Sequence, residues 1–322
     1  MTMRAIVADH AGGPEVLEMR RVAVPEPGPG ELLVETAAAG VNFIDTYRRS
    51  GAYSVPFPYT PGTEASGRVV AAGDGVEGFA EGDLITTAEG RDCYADRFAV
   101  EADRAVRVPD GVAADAAAAL PLQGITAHYL ATSAAQPQAG DAVLVHAGAG
   151  GVGLLLTQLL VRRGVRVITT ASTPEKRELS RGAGADEVLD YGGFADRARE
   201  LTGGEGVAVV YDGVGRSTFD DSLRALRVRG ELVLFGAASG PVPPFDLQRL
   251  NAGGSLSITR PSIGHFLRTP EERAWRYREL FEAIADGGLD VRIGARFPLA
   301  EAAEAHTALE SRATTGKVIL EP

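Results

Sequence analysis

A single cysteine, Cys93, stands among the 322 residues. One thiol forms no internal disulfide and cannot build a cysteine-rich zinc site. Lysine is nearly as scarce: of 32 cationic residues, all but Lys176 and Lys317 are arginine. Aromatic residues make up only 6% of the chain, which suits a core of small aliphatic side chains with tight turns. No stretch approaches the roughly 20 apolar residues of a membrane helix. The N-terminal segment Met1–His10 reads as a short strand and lacks the apolar run of a signal peptide, so a cytoplasmic protein is expected. Excess positive charge is missing too. At a formal net charge of −11, the surface repels phosphate backbones and anionic lipid over about a Debye length. Neither nucleic acid nor membrane is an expected partner, although a local basic pocket for one small anion remains allowed.

Several catalytic signatures are also absent. There is no Gly-x-Ser-x-Gly elbow and no P-loop, which leaves hydrolase and nucleoside-triphosphatase readings without a motif. The five histidines, His10, His128, His146, His265 and His306, are scattered, and no pair has the spacing of a zinc-binding helix. A catalytic zinc needs about three protein ligands, so no metal is expected.

The chain does hold 40 glycines and a change of texture near Asp110. Before it, short apolar runs (Arg4–Ala8, Glu31–Ala39, Gly67–Ala72, Asp83–Thr87, Ala105–Val108) alternate with Gly- and Pro-rich turns, as in a compact β-barrel or sandwich. Ala-rich helices are expected at Asp115–Leu120 and Gly124–Thr132. From Asp141 strands alternate with helices, beginning with a buried strand Ala142–His146 and an apolar helix Gly151–Arg163. Later strands are expected at Glu231–Phe235 and Ser255–Thr259, with a helix Ser217–Leu226. Alternating βα units imply a doubly wound parallel sheet with helices on both faces. The tail from Ile263 adds helices and a last strand near Lys317, and is expected to return to the first domain. The expected fold class is therefore α/β. Residues 1–123 form a β-rich domain, 124–262 a Rossmann dinucleotide-binding domain, and 263–322 the return.

The run from Val143 to Gly153 contains Gly148-x-Gly150-x-x-Gly153. The spacing is weak alone, but here it follows a buried strand and opens an apolar helix, the context it requires. Glycines let the backbone turn sharply and approach a pyrophosphate, and the helix N-terminus binds the negative charge. NAD-binding folds place an acid about 20 residues further on, against the ribose 2′-hydroxyl. Ala171 stands at that point. A carboxylate would repel a 2′-phosphate; its absence leaves room for one. Ser172 can donate to such a phosphate and Lys176, one helical turn on, can reach it. NADPH is thus the expected cofactor.

Several further segments resemble one family. They are Gly40-Val41-Asn42-Phe43-Ile44-Asp45-Thr46-Tyr47, Pro61-Gly62-Thr63-Glu64-Ala65-Ser66-Gly67, Gly124-Ile125-Thr126-Ala127-His128-Tyr129-Leu130, Val210-Tyr211-Asp212-Gly213-Val214-Gly215, Thr259-Arg260-Pro261-Ser262 and Leu309-Glu310-Ser311-Arg312-Ala313-Thr314. With the glycine turn, they are similar to the zinc-free quinone oxidoreductases (zeta-crystallin-like) of the medium-chain dehydrogenase/reductase superfamily, above all the bacterial NADPH:quinone reductases. The resemblance spans essentially the whole chain. Where the zinc enzymes of that superfamily carry Gly-His-Glu, this chain has Gly62-Thr63-Glu64.

The resemblance implies a GroES-like catalytic domain, a Rossmann domain, and a quinone held in a cleft between them, reduced by NADPH without metal. It implies catalytic residues Asn42 and Tyr47 by the nicotinamide and Tyr53 lining the quinone pocket. Thr126 would touch the nicotinamide-side phosphate region, and Gly151 and Val152 would face the pyrophosphate. Ser172, Lys176, Tyr191 and Arg312 would surround the 2′-phosphate. Val214, Phe235, Gly236 and Ala237 would flank the cofactor. Gln123, where close relatives often have Lys, is a departure at one cofactor contact. Tyr47 or a water would hydrogen-bond the developing oxyanion. A homodimer is implied as well; apart from the resemblance, the apolar strand Ser255–Thr259, if it lies at the sheet edge, could pair with its copy. Two other readings stay open on the sequence: reduction of α,β-unsaturated carbonyl compounds with the same cofactor, and a non-catalytic NADPH-binding protein.

Overall fold

The computed structural model describes all residues, Met1–Pro322. They divide into two compact units. The first comprises Met1–Leu122, Thr269–Phe281 and Val291–Pro322; the second comprises Gln123–Arg268 and Glu282–Asp290.

In the first unit, β1 (Thr2–Val7) and β2 (Glu18–Ala23) pair antiparallel as a ribbon. There follow β3 (Glu31–Val41), α1 (Phe43–Arg49), β4 (Ala65–Ala72), β5 (Leu84–Thr87), β6 (Arg97–Glu101), β7 (Val106–Arg107) and α2 (Ala114–Ala119), and then α3 (Pro121–Tyr129), most of which belongs to the second unit. The eleven-residue strand β3 is the hub, pairing antiparallel with both β4 and β6. Its inward residues Leu32, Val34 and Val41 meet Val69, Ile85, Phe98, Val318 and Leu320 in one apolar cluster. Each such side chain contributes about 1.5–3 kcal/mol by leaving water.

In the second unit a parallel sheet is built from β8 (Ala142–Val145), α4 (Gly151–Arg162), β9 (Arg166–Thr170), α5 (Pro174–Gly182), β10 (Glu187–Leu189), α6 (Phe194–Leu201), β11 (Val207–Asp212), α7 (Phe219–Ala225), β12 (Leu226–Leu234), α8 (Gln248–Ala252) and β13 (Ser257–Thr259). The strand order β10-β9-β8-β11-β12-β13 is the doubly wound order with its reversal between β8 and β11. Every residue of β11 is buried, which explains why Val207-Ala208-Val209-Val210-Tyr211 is an unbroken apolar run: helices cover both faces of a parallel sheet. Phe194, Ala198, Phe219 and Leu223 from α6 and α7 pack on Leu144, Ile168, Val210 and Leu232. The chain then runs through α9 (Pro270–Ala285), β14 (Ile293–Pro298), α10 (Ala302–Glu310) and β15 (Lys317–Glu321). The last strand lies between β14 and β3, so the C-terminal strand completes the first unit's seven-stranded sheet.

Some boundaries differ from the sequence expectation. The helix expected at Ser217–Leu226 covers only Phe219–Ala225, and β12 starts at Leu226 rather than Glu231. The edge strand is Ser257–Thr259, not Ser255–Thr259, because Gly254 and Ser255 both adopt positive φ, at 111° and 58°. A left-handed residue cannot continue a pleated ladder. The segment after Asn42, for which no helix is expected from the sequence, is helical. Its start is a capping box in which the Asp45 carboxylate accepts from Asn42 N at 3.0 Å.

Candidate functional site

The glycine turn leaves the end of β8 and enters α4. Ala147 sits at φ 54°. Gly150 N donates to Ala147 O, and Gly148 N to Thr170 O at the end of β9, both at 2.9 Å. Gly150 is the N-cap of α4, so the N–H groups of Gly151, Val152 and Gly153 fall in the first turn, where a helix leaves its donors without internal partners. Close approach explains Gly148 and Gly153, while Gly151 faces only the flexible end of Gln123. A Cβ on Gly148 would stand 2.5 Å from Ser180 Oγ and 2.6 Å from Thr169 Cβ. One on Gly153 would run into the Ala147 carbonyl oxygen, and one on Gly151 into Gln123 Oε1. Gln123 Oε1, beside Gly151, is itself buried with no hydrogen-bond partner. Bare backbone donors at a helix N-terminus fit a pyrophosphate.

Beyond β9 the chain turns into α5. Thr173 is its N-cap and accepts from Lys176 N at 3.3 Å. Ala171 is buried, Ser172 is exposed and Lys176 is half-buried; burial lowers the pKa of the Lys176 ammonium. Asp190, the carboxylate after β10, is paired with Arg177. Tyr191 stacks on His146, ring centroids 6.1 Å apart and planes 16° apart. Ser172, Lys176 and Tyr191 thus sit in the two segments that follow adjacent strands β9 and β10. A cation, a hydroxyl and a ring, with the nearby acid neutralised, fit an adenosine 2′-phosphate.

A third loop pair lies after β11 and β12. Asp212 Oδ1 accepts from Val214 N at 2.8 Å and Gly215 N at 2.9 Å. Phe235 N donates to Asp212 O at 2.9 Å, and Ser239 N to Val214 O at 2.7 Å. Val214, Phe235, Gly236 and Ala237 are therefore held in one zipped pair of loops at the same end of the sheet. Thr126 lies in α3 and is 7% exposed. Arg312 follows α10 in the first unit, exposed and at φ 58°.

The first unit carries its own cluster. Asn42, the N-cap of α1, is 4% exposed. Its Oδ1 accepts from Lys317 Nζ at 2.7 Å and its Nδ2 donates to Glu64 Oε2 at 2.6 Å. Lys317 also pairs with Glu64, whose other oxygen accepts from Leu122 N at 2.7 Å, at the start of α3. Lys317 and Glu64 are 1% and 0% exposed, and burial pulls the pKa of the ammonium down against the carboxylate's opposing pull. Beside them Asp45 is wholly buried, and desolvation pushes its carboxyl up to about 6. One turn on, Tyr47 and Tyr53 place ring centroids 5.5 Å apart, and Phe43 lies 6.2 Å from Tyr47. Tyr53 is 47% exposed. Tyr47 and Tyr53, both named from the sequence, thus form one partly open aromatic face.

Three partners escaped the sequence reading. Glu64 and Lys317 are far apart in sequence and meet only through the β4 and β15 registers on β3; the rarity of lysine was the available signal. His146 was set aside as one of five scattered histidines. No group of three His, Cys, Asp or Glu side chains that could hold a metal ion forms, and no helix is long and apolar enough to cross a membrane.

Comparison with known proteins agrees with both halves. Residues 28–140 match the family described as alcohol dehydrogenase GroES-like domain, and residues 151–285 the family described as zinc-binding dehydrogenase. A quinone oxidoreductase of Pseudomonas aeruginosa is 44% identical over 97% of each chain. The Escherichia coli quinone oxidoreductase, solved in complex with NADPH, is 40% identical over 99% of this chain and 100% of that one, with a TM-score of 0.97. A mycobacterial protein solved in complex with NADPH is 53% identical over 99% of this chain and 100% of that one, with a TM-score of 0.98.

Proposed function

From the premise that this chain belongs to the quinone oxidoreductase family of the medium-chain dehydrogenases/reductases, we infer that it is an enzyme that reduces quinones with NADPH. The observation that carries the reading is the bare glycine mouth of α4 beside a strand end that lacks an acid and offers Lys176. When bound, NADPH supplies the hydride. The chain supplies position and charge: Gly151 and Val152 offer backbone N–H groups to the pyrophosphate, with Gln123 and Thr126 alongside. Lys176, Ser172, Tyr191 and Arg312 serve the 2′-phosphate. Val214, Phe235, Gly236 and Ala237 flank the cofactor.

On the same reading, Asn42 and Tyr47 serve the nicotinamide end and Tyr53 lines the quinone's place. The paired rings of Tyr47 and Tyr53 suit a flat aromatic acceptor, and the Tyr47 hydroxyl or a water hydrogen-bonds the developing oxyanion. We propose that no metal takes part. Thr63 stands where zinc relatives carry histidine, and the one thiol, Cys93, is buried with its pKa raised by desolvation. Quinones are electrophilic and need no Lewis acid. A cytoplasmic homodimer paired through β13 completes the reading; β13 is the last strand of its sheet and an open edge invites a second copy.

Two assays test this. Turnover of a quinone should exceed turnover of an α,β-unsaturated ketone at equal concentration; the reverse order would move the reading to conjugated carbon–carbon double bonds. Lys176→Ala should raise KM for NADPH by about tenfold, the worth of one charge-assisted hydrogen bond, and leave KM for NADH nearly unchanged. Equal effects on both cofactors would remove the 2′-phosphate from Lys176.

A further inference from the structure

His146 closes β8 and is 1% exposed. Its Nδ1 lies 2.9 Å from Thr170 Oγ1 at the end of β9, and its Nε2 2.9 Å from Ser222 Oγ in α7. The partners fix which nitrogen carries the proton. Ser222 Oγ donates to Asp212 Oδ2 at 3.0 Å, so it accepts from His146 and Nε2 carries the hydrogen. Nδ1 is then the acceptor and Thr170 Oγ1 the donor. Thr170 Oγ1 in turn accepts from Ala147 N at 3.4 Å, within the glycine turn. Burial lowers the His146 pKa against the pull of Asp212, which agrees with a neutral ring of one tautomer.

Asp212 is the far anchor. Besides Ser222 it accepts from Thr218 Oγ1 at 2.7 Å, and through its other oxygen and its carbonyl it holds the loops that carry Val214 and Phe235. One directed chain therefore runs Ala147 N–H to Thr170, Thr170 to His146, His146 to Ser222 and Ser222 to Asp212. It joins the loops after β8, β9, β11 and β12. His146 also supports the Tyr191 ring on one side, and Phe194 packs edge-on against it at 4.7 Å. Thr170 and Ser222 are both 0% exposed, so neither they nor the imidazole are open to a ligand.

We propose that His146 is a positioning residue for the dinucleotide: its imidazole braces the glycine turn against the Asp212 loops, so that the backbone donors are already in place when the cofactor arrives. The inference rests on the NADPH reading above. A brace of this kind lowers the ordering cost of binding, so its loss appears in affinity and not only in stability.

The test is NADPH affinity by equilibrium titration, beside the unfolding temperature without cofactor. His146→Leu should raise Kd by about tenfold, the range of one or two lost hydrogen bonds. His146→Asn, whose Oδ1 can replace Nδ1 toward Thr170, should recover most of that loss. Ser222→Ala alone should weaken binding several-fold, and added to His146→Leu it should cost nothing more. A folded His146→Leu that binds like the wild type, whatever its unfolding temperature, would reduce His146 to a core residue and overturn the proposal. Additive losses would overturn it as well. If His146→Leu fails to fold, the isosteric Thr170→Val takes its place, with several-fold weaker binding expected and unchanged binding contradicting. A wild-type chain that binds NADPH but reduces no quinone would end the functional reading and leave this one intact.

Discussion

Gly153→Ala is expected to weaken NADPH binding by on the order of a hundredfold while the secondary structure survives. The added methyl would fall on the Ala147 carbonyl oxygen, and that atom is backbone and cannot rotate away. Ala147 is already at φ 54° and its carbonyl accepts from Gly150 N at 2.9 Å. Relief requires the turn to lift off the head of α4, which parts the pyrophosphate donors from one another. Overpacking of this kind costs about 1–3 kcal/mol, and the upper end corresponds to roughly a hundredfold in affinity. Gly150→Ala is the control. Its Cβ would stand 3.2 Å from the same oxygen, and its φ of −77° suits any residue, so a loss under about tenfold is expected. Fluorescence titration of NADPH with far-UV circular dichroism on each variant checks both. Wild-type affinity in Gly153→Ala would show that the turn is not the cofactor's seat.

Lys317→Met should lower the stability of the chain by about 3–5 kcal/mol, because it leaves the Glu64 carboxylate buried without a counter-charge. For a protein of this size that is a fall in unfolding temperature of about 4–7 °C. Glu64 keeps its bonds from Asn42 Nδ2 and Leu122 N, but hydrogen bonds do not replace the ammonium. Lys317→Met combined with Glu64→Gln should recover more than half of the loss, since no net charge is then buried. Lys317→Arg should not rescue. A Cβ on Gly40 would stand 2.8 Å from Lys317 Cε, so the space is already filled by the slim lysine stem and offers nothing to a guanidinium. That tightness gives a physical reason for a lysine here in a chain whose other cationic residues, Lys176 apart, are all arginine. Calorimetry of the three variants decides; a single variant as stable as the wild type would show that the pair contributes nothing.

How far the sequence carried is clearest at particular residues. The nucleotide-binding unit was legible because its signals are local. The buried strand from Ala142, the Gly148–Gly153 spacing and the apolar helix that follows it each show within a few residues of one another. The missing acid at Ala171 and the nearby Lys176 could be read for the same reason. Boundaries failed where a single backbone conformation intervened, as at Ser255, whose positive φ shortens the edge strand. The first unit's cluster was out of reach. Asn42, Glu64 and Lys317 meet only because β3 pairs with β4 on one side and β15 on the other, and no spacing in the sequence encodes that register. Helix α1 was missed because Asn42 and Asp45 form a capping box without the Glu or Gln that usually marks one. His146 was read only as one of five scattered histidines without a partner at metal-site spacing; what the sequence withheld was its burial and the directed chain of partners on either side of it.

That NADPH-dependent quinone reduction runs here without a metal is a proposal, and it can be tested directly. The most direct measurement is the loss of NADPH absorbance with 1,4-benzoquinone as acceptor, with excess chelator present and NADH run in parallel. Turnover that survives the chelator and favours NADPH over NADH is the expected result. Turnover abolished by the chelator and restored by zinc, or no quinone turnover at saturating NADPH, would contradict it.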